Sequence, residues 1–171
     1  MDDRRRRFEA QALPHLDAAY NLARWLSRSP ADAEDIVQDA ILRAYRGFDG
    51  FRGGSAKAWL LAIVRNCALD AAVAAKRRAI VPLPDEEGGA LTSQIQDPEA
   101  AALEASQGRK LNAMMDAMPA EFRNVLILRE IEELSYREIA AVTDAPIGTV
   151  MSRLARARAI LRERLIAQQH A

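Results

Sequence analysis

An all-α fold of two small helical domains is predicted, on three observations. Half of the 171 residues are hydrophobic but only 5% are aromatic, and alanine and leucine, both good helix formers, supply most of the apolar side chains. Apolar residues recur at spacings of three and four along most of the chain. Helix-start signals stand ahead of those stretches: Ser29-Pro30, Ser55, Asp97-Pro98, and Ser135 with Glu138 three residues on.

The first domain is assigned to residues 1–80. Residues near 5–28 place Phe8, Leu13, Leu16, Tyr20, Ala23 and Leu26 at helical spacing, with Pro14 breaking or kinking the run. Ser29-Pro30-Ala31-Asp32 opens a second helix, whose core face is Ile36, Val37, Ala40, Ile41, Ala44 and Tyr45. Gly47 to Gly54 is a loop, and Ser55 caps a third helix running to about Ala79. Residues 81–97, with Pro82, Pro84, Gly88 and Gly89 among acids, read as a flexible linker. The second domain, 98–171, restarts with a helix to about Met118 that carries Leu103, Leu111, Met114, Met115 and Met118. Pro119 opens the next, with Phe122, Val125, Leu126, Leu128 and Ile131, and two further helices complete a four-helix domain.

The formal net charge is zero, but it is unevenly spread. Residues 1–80 hold 14 Lys and Arg against 10 Asp and Glu, and residues 81–105 hold none against 6. Residues 106–171 hold 10 against 8, with most of the excess after Gly148. Two basic blocks therefore flank an acidic connector. Cys67 is the single cysteine, so no intramolecular disulfide and no Cys/His zinc pattern is expected. The only histidines are His15 and His170, and there is no phosphate-cradling glycine loop. An enzyme, a cofactor, a metal and a small-molecule substrate are accordingly not expected. No apolar run suggests a bilayer span, and Arg4 to Arg7 lead into no apolar signal core. A cytoplasmic protein, not an integral membrane protein, is expected. The Arg4–Arg7 run reads as a solvated helix start or as a phosphate contact.

Residues 134–158 are the most informative stretch. Ser135 and Glu138 form a capping box. Ile139, Ala140 and Val142 give that short helix an apolar side, and Asp144 sits where the chain must turn sharply, a place aspartate tolerates. Pro146 suits the first turn of a new helix. Val150, Leu154, Ala157, Leu161 and Leu165 then make a buried stripe, while Thr149, Ser152, Arg153 and Arg156 share the opposite side and Arg158 extends the charge. This is the order of a helix-turn-helix, whose second helix enters the DNA major groove. Arginine grips a guanine edge or a phosphate, and serine and threonine contact either.

Two further features lie in the first domain. Asp32, Asp35 and Asp39 fall on one side of the second helix, bordered by Gln38, Leu42, Arg43 and Arg46. Like charges at this spacing destabilise a helix by a few tenths of a kcal/mol. Asp32 gains from the helix dipole and Asp39 can pair with Arg43, but Asp35 has no helper. The row is either a solvated face or a docking surface for a basic protein. The loop from Phe48 to Ser55 offers Phe51 and Arg52 to stack on or clamp an unstacked base, with Gly53 permitting close backbone approach. In the alternative, Phe51 plugs the loop while Trp59, Ile63 and Leu69 are core. Asn66 is unusual in an apolar helix and suits a base edge.

Together these motifs resemble the extracytoplasmic-function (ECF) class of sigma factors of bacterial RNA polymerase, over nearly the whole chain. Asp32 to Arg46 is similar to the family's polymerase-docking helix, and Phe51 to Ser55, Trp59-Leu60 and Arg65-Asn66 to Asp70 to its minus-ten segment. Pro119, Arg123 and Leu134 to Arg158 are similar to its minus-thirty-five domain. The resemblance implies that Asp32, Asp35, Gln38, Asp39, Leu42, Arg43 and Arg46 dock on the clamp coiled coil of the largest polymerase subunit. It implies that Phe51, Arg52, Gly53, Ser55, Arg65, Asn66 and Arg77 read and melt the minus-ten element. Arg137, Thr149, Met151, Ser152, Arg153, Arg156 and Arg158 would read the upstream element. The polymerase beta flap, promoter DNA and an anti-sigma factor are the further partners implied. Met151 stands where the family usually has Lys or Arg, and Asp144 where Gly is common.

Overall fold

A computed structural model describes residues 2–78 and 98–171; the linker expected at 81–97 and its Asp97 cap lie outside them. The described residues contain helices and no strand. Pro14 does interrupt the first run. Helix α1 (Asp2–Ala12) gives way to a 3₁₀ turn, Leu13–His15, before α2 (Leu16–Leu26), because proline lacks an amide donor and its ring clashes with the preceding turn. The turn leaves Leu13 exposed rather than on the core face. Helix α3 (Pro30–Gly47) starts at its sequence signal: Ser29 Oγ accepts the Asp32 amide at 3.1 Å.

A second 3₁₀ turn, Phe48–Gly50, leads into the glycine loop, where Gly53 and Gly54 adopt φ of +89° and +84°, a region glycine enters without strain. Ser55 Oγ accepts the Ala58 amide at 3.1 Å and so opens α4 (Ala56–Arg78). By length and composition α4 is apolar enough to cross a membrane, which corrects the expectation that no run would qualify. Here its first half, Ala56 to Ala68, packs into the core, and the second half is mostly exposed. Helices α2, α3 and α4 pack on one another, burying Leu22, Ile36, Leu60, Leu61 and Val64, with Ala19, Ala23, Ala33, Ala40 and Ala44 fully covered. Cys67 lies in this core, and burial pushes its thiol up to about 11. Leu69, two residues further on and therefore on the opposite side of the helix, is exposed and not core.

The second domain comprises α5 (Pro98–Asp116), α6 (Ala120–Leu126), α7 (Tyr136–Thr143) and α8 (Ile147–Gln169). Helix α6 continues into a π-helical turn, Ile127–Ile131. Its wider turn absorbs an extra residue and rotates Ile131 into solvent, correcting its place on the apolar face. Leu103 and Leu111 of α5 are likewise exposed, while Met114, Met115 and Met118 are buried. The chain then reverses through Glu133 at φ +57°. Arg129 secures that reversal by donating to the Leu134 carbonyl at 2.8 Å while its guanidinium sits 4.9 Å from the Tyr136 ring centroid.

Both halves of the α7 capping box form: Ser135 Oγ accepts the Glu138 amide at 3.1 Å, and the Ser135 amide donates to Glu138 Oε1 at 3.0 Å. The backbone hydrogen bond from Ser135 holds the Glu138 carboxyl below its ordinary pKa. Ser135→Ala is expected to lower stability by about 1 kcal/mol, read by urea or thermal unfolding. Asp144 ends α7 in the left-handed region, φ +51° and ψ +49°. Pro146 caps α8 from outside rather than occupying its first turn, one position earlier than expected. Val150, Leu154 and Ala157 are buried against α6 and α7, but the stripe fades at half-buried Leu161 and exposed Leu165. At 23 residues α8 outruns the 7 and 8 residues of α6 and α7 that cover it. Its far end is tied to α5 instead, where Arg164 donates to the Met114 and Ala117 carbonyls at 2.5 and 3.1 Å.

Candidate nucleic-acid and polymerase interfaces

Three surfaces carry the residues singled out in the sequence. On α8, Met151, Ser152, Arg156 and Arg158 are exposed, Ser152 and Arg156 on the side away from Val150 and Leu154, while Thr149 and Arg153 are half-buried. Arg137 is exposed on α7. The arginines are not equivalent. Arg158 grips Glu130 Oε1 through Nε and Nη2 at 3.1 and 2.7 Å, and Arg153 Nη2 lies 3.9 Å from Glu121 Oε2. Arg156 has no ion pair among the described residues and is the freest guanidinium on this face.

On α3 the acidic row is a real surface feature. Ala33, Ile36, Ala40 and Ala44 face the core, and Asp32, Asp35, Gln38, Leu42 and Arg46 are exposed on the other side. Asp39 pairs with Arg43 at 2.9 Å, and Arg43 also reaches Asp70 on α4 at 2.8 Å, bridging the two helices. Those carboxylates, Asp70 first, raise the Arg43 pKa. Among the described residues no ion pair engages Asp32 or Asp35. Leu42 stands 55% exposed beside them, so the ridge combines free carboxylates with an apolar contact.

The third surface is the loop. Arg52, Gly53, Gly54 and Ser55 are exposed, and so are Asn66 and Arg77 along α4. Phe51 is half-buried: its ring lies 4.9 Å from that of Trp59 and stacks on Phe48 at 6.2 Å. Trp59 packs against the core, as the alternative reading had it. The aromatic ring thus supports the loop from beneath, and the freely presented groups are Arg52 and the two glycines, Ser55 being engaged as the α4 cap.

One contact had no signal in the sequence, since its partners lie 75 residues apart. Helix α4 packs against α7 of the second domain. Lys57 Nζ donates to the Glu132 carbonyl at 2.7 Å and stands 3.4 Å from Glu132 Oε2. Glu132 is 5% exposed, and burial, opposed in part by Lys57, raises its pKa. This contact is imperfectly satisfied. Among the described residues the buried side-chain polar atoms without partners are Arg65 Nε, Arg123 Nε, Asn124 Oδ1 and Glu132 Oε1. The first three line the groove between α4 and α6, and the fourth sits at the clasp.

The two halves of this architecture match two family models, Sigma-70 region 2 over residues 13–78 and Sigma-70, region 4 over residues 108–161. Among sequence relatives, the ECF RNA polymerase sigma-E factor of Escherichia coli K12 is 42% identical over 135 residues, covering 74% of this chain and 70% of that protein. ECF RNA polymerase sigma factor SigE of Mycolicibacterium smegmatis is 36% identical over 151 residues, covering 88% of this chain; the match spans 58% of the relative's length. Among solved structures, sigma factor RpoE of Bartonella quintana, in complex with the anti-sigma factor NepR, superposes with a TM-score of 0.76 at 28% identity, covering 92% of this chain and 96% of that one. CnrH in complex with the cytosolic domain of CnrY superposes with a TM-score of 0.66 at 26% identity, covering 95% and 90%. The chain belongs to the sigma-70 family of transcription initiation factors, in its ECF class.

Proposed function

We propose that this chain joins core RNA polymerase through the α3 ridge and directs it to promoters, with no catalytic chemistry of its own, in the cytoplasm where that enzyme works. The domains are those drawn from the sequence, 1–80 and 98–171 joined by 81–97. Asp32, Asp35, Gln38, Asp39 and Leu42, with Arg43 and Arg46 alongside, dock on the clamp coiled coil, and the second domain reaches the beta flap. Arg52 to Ser55, with Arg65, Asn66 and Arg77, receive the melted minus-ten strand over the Phe51 platform. Extruding a base costs a few kcal/mol, and stacking returns about 1–3 kcal/mol per base. Helix α8 reads the upstream element through Thr149, Met151, Ser152, Arg153, Arg156 and Arg158, with Arg137 on the adjoining backbone.

The observation that carries this reading is the ridge: free aspartates on a helix whose other face is fully packed. A DNA-binding regulator that works unaided has no need of it. Control by an anti-sigma factor is supported by the two superposed relatives, each solved with such a factor or a cytosolic partner domain. The decisive experiment is promoter-dependent run-off transcription by core polymerase with and without the chain. A chain that binds promoter DNA alone but leaves core polymerase inactive and unbound refutes the proposal.

The arginine environments predict a ranking. Arg156→Ala is expected to weaken upstream-element recognition by about 1–3 kcal/mol if its guanidinium is bidentate to a base. Arg158→Ala, whose guanidinium is already held by Glu130, is expected to cost less. Transcription from promoters varied at the upstream element measures both; equal activity of the Arg156 variant on every template rules out base reading there.

The α4–α7 contact also bears on this function. The upstream and minus-ten elements are separate stretches of promoter, and we read the α4–α7 contact at Lys57 and Glu132 as one that opens when both are engaged. Separation gives water access to Glu132 and to the groove lined by Arg65, Arg123 and Asn124.

A further inference from the structure

Helix α1 lies outside the region 2 match, which begins at residue 13, and the function proposed above leaves it without a task. Its N-terminal arginines read as a solvated start or a phosphate contact, but the structure shows them in individual roles. Arg5 pairs with Glu9 and Arg6 with Asp2, both within the helix. Arg4 instead reaches across to the next segments. Its Nη2 donates to the Tyr45 carbonyl at 2.7 Å, its Nε donates to Asp49 Oδ1 at 3.1 Å, and its guanidinium lies 4.5 Å from the Tyr45 ring centroid. The Tyr45 carbonyl is in the last turn of α3 and also accepts the Phe48 amide. Arg4 therefore holds the junction at which the docking helix becomes the loop.

The same helix supplies an aromatic support one turn on. Phe8, 6% exposed, meets Tyr45 and Phe48 edge to face at 5.2 and 5.4 Å. Phe48 stacks on Phe51, and Phe51 leans on Trp59 of α4. A continuous row of rings thus runs from α1 to the base of the loop. Downstream, the loop is held by the Ser55 cap. Between these anchors only Arg52, Gly53 and Gly54 stand free, at a place where two consecutive glycines have positive φ. A binding loop that hangs from two rigid ends loses less freedom when it engages its ligand, which favours affinity and selectivity.

We infer that α1 is a buttress for the minus-ten loop, and that Arg4 is a positioning residue setting how Arg52 to Ser55 meet the extruded base. This rests on the assignment of that loop to the minus-ten element. The planar fork of arginine is what the site uses: it satisfies a carbonyl and a carboxylate at once, which the single ammonium of lysine does not reproduce.

The test uses the full chain assembled with core polymerase, on two templates that differ only at the extruded minus-ten base, with permanganate reactivity as the readout of opening. Arg4→Ala is expected to narrow discrimination between the templates by about fivefold, the equivalent of one hydrogen bond, with core affinity unchanged. Asp49→Ala is expected to give part of that loss, and the double variant no more than Arg4→Ala alone. A purely structural role would lower the unfolding temperature and both templates equally, which overturns the proposal. Full restoration by Arg4→Lys also overturns it, since charge near phosphate would then suffice. Arg52→Ala separates the premise from the inference. If Arg52→Ala impairs opening and Arg4→Ala does not, the buttress is wrong; if neither matters, the loop assignment fails and the buttress with it.

Discussion

Asp35→Arg is expected to reduce binding to core polymerase by about a hundredfold, because like charges brought together across an interface cost several kcal/mol. The fold should be untouched. Asp35 is exposed, and no ion pair among the described residues depends on it. The helix itself stands to gain, since Asp35 is four residues from Asp39 and like charges at that spacing are mildly destabilising. Asp39 makes an instructive contrast. It is tied to Arg43, which is tied in turn to Asp70, so reversing Asp39 disturbs the α3–α4 bridge as well as the docking face. A pull-down of core polymerase beside an unfolding curve checks the prediction. Wild-type binding by a folded Asp35→Arg chain removes the ridge from the docking surface.

The second large effect is expected at the contact between the domains. Lys57→Glu sets a second carboxylate against Glu132 in a site where the first is already 5% exposed. Breaking a buried ion pair costs about 3–5 kcal/mol at full burial, and the 29% exposure of Lys57 places this pair at the low end. Apolar side chains of both domains share one buried cluster, and the strained carboxylates at its edge favour parting the domains so that Glu132 is hydrated. The expected result is therefore a larger radius of gyration by small-angle scattering, with each domain still helical by circular dichroism. Glu132→Gln, which keeps the shape and removes the charge, is expected to expand the molecule less. An unchanged radius of gyration in the Lys57→Glu chain shows that the pair does not hold the domains together.

Much of the helical plan was legible because its signals are local. Ser29, Ser55 and the Ser135–Glu138 box act within four residues of themselves, and each cap forms where the sequence places it. Asp144 likewise takes the left-handed turn its position required. Errors appear where neighbours outside the local window decide. Ile131 has the spacing of a core residue but is turned outward by a π-helical turn, and Leu165 continues the α8 stripe beyond the helices that could bury it. Of the candidate site residues, the α3 ridge was the most readable, since a helix with one alanine- and isoleucine-rich face must present the other.

What the sequence determined by itself was most of the helices, the caps that start three of them, and the chemical character of their exposed faces, because those follow from side chains three and four positions apart. What only the tertiary structure decided was how those faces are used. It set Phe51 beneath the loop instead of in solvent, drew Arg158 to Glu130 while leaving Arg156 free, passed Arg4 from its own helix to Tyr45 and Asp49, and brought Lys57 to Glu132. Each of these joins residues 28 to 75 positions apart, or buries one ring under another. Such pairings depend on how whole helices pack, and helical periodicity carries no information about which partner a charged side chain will find across a domain.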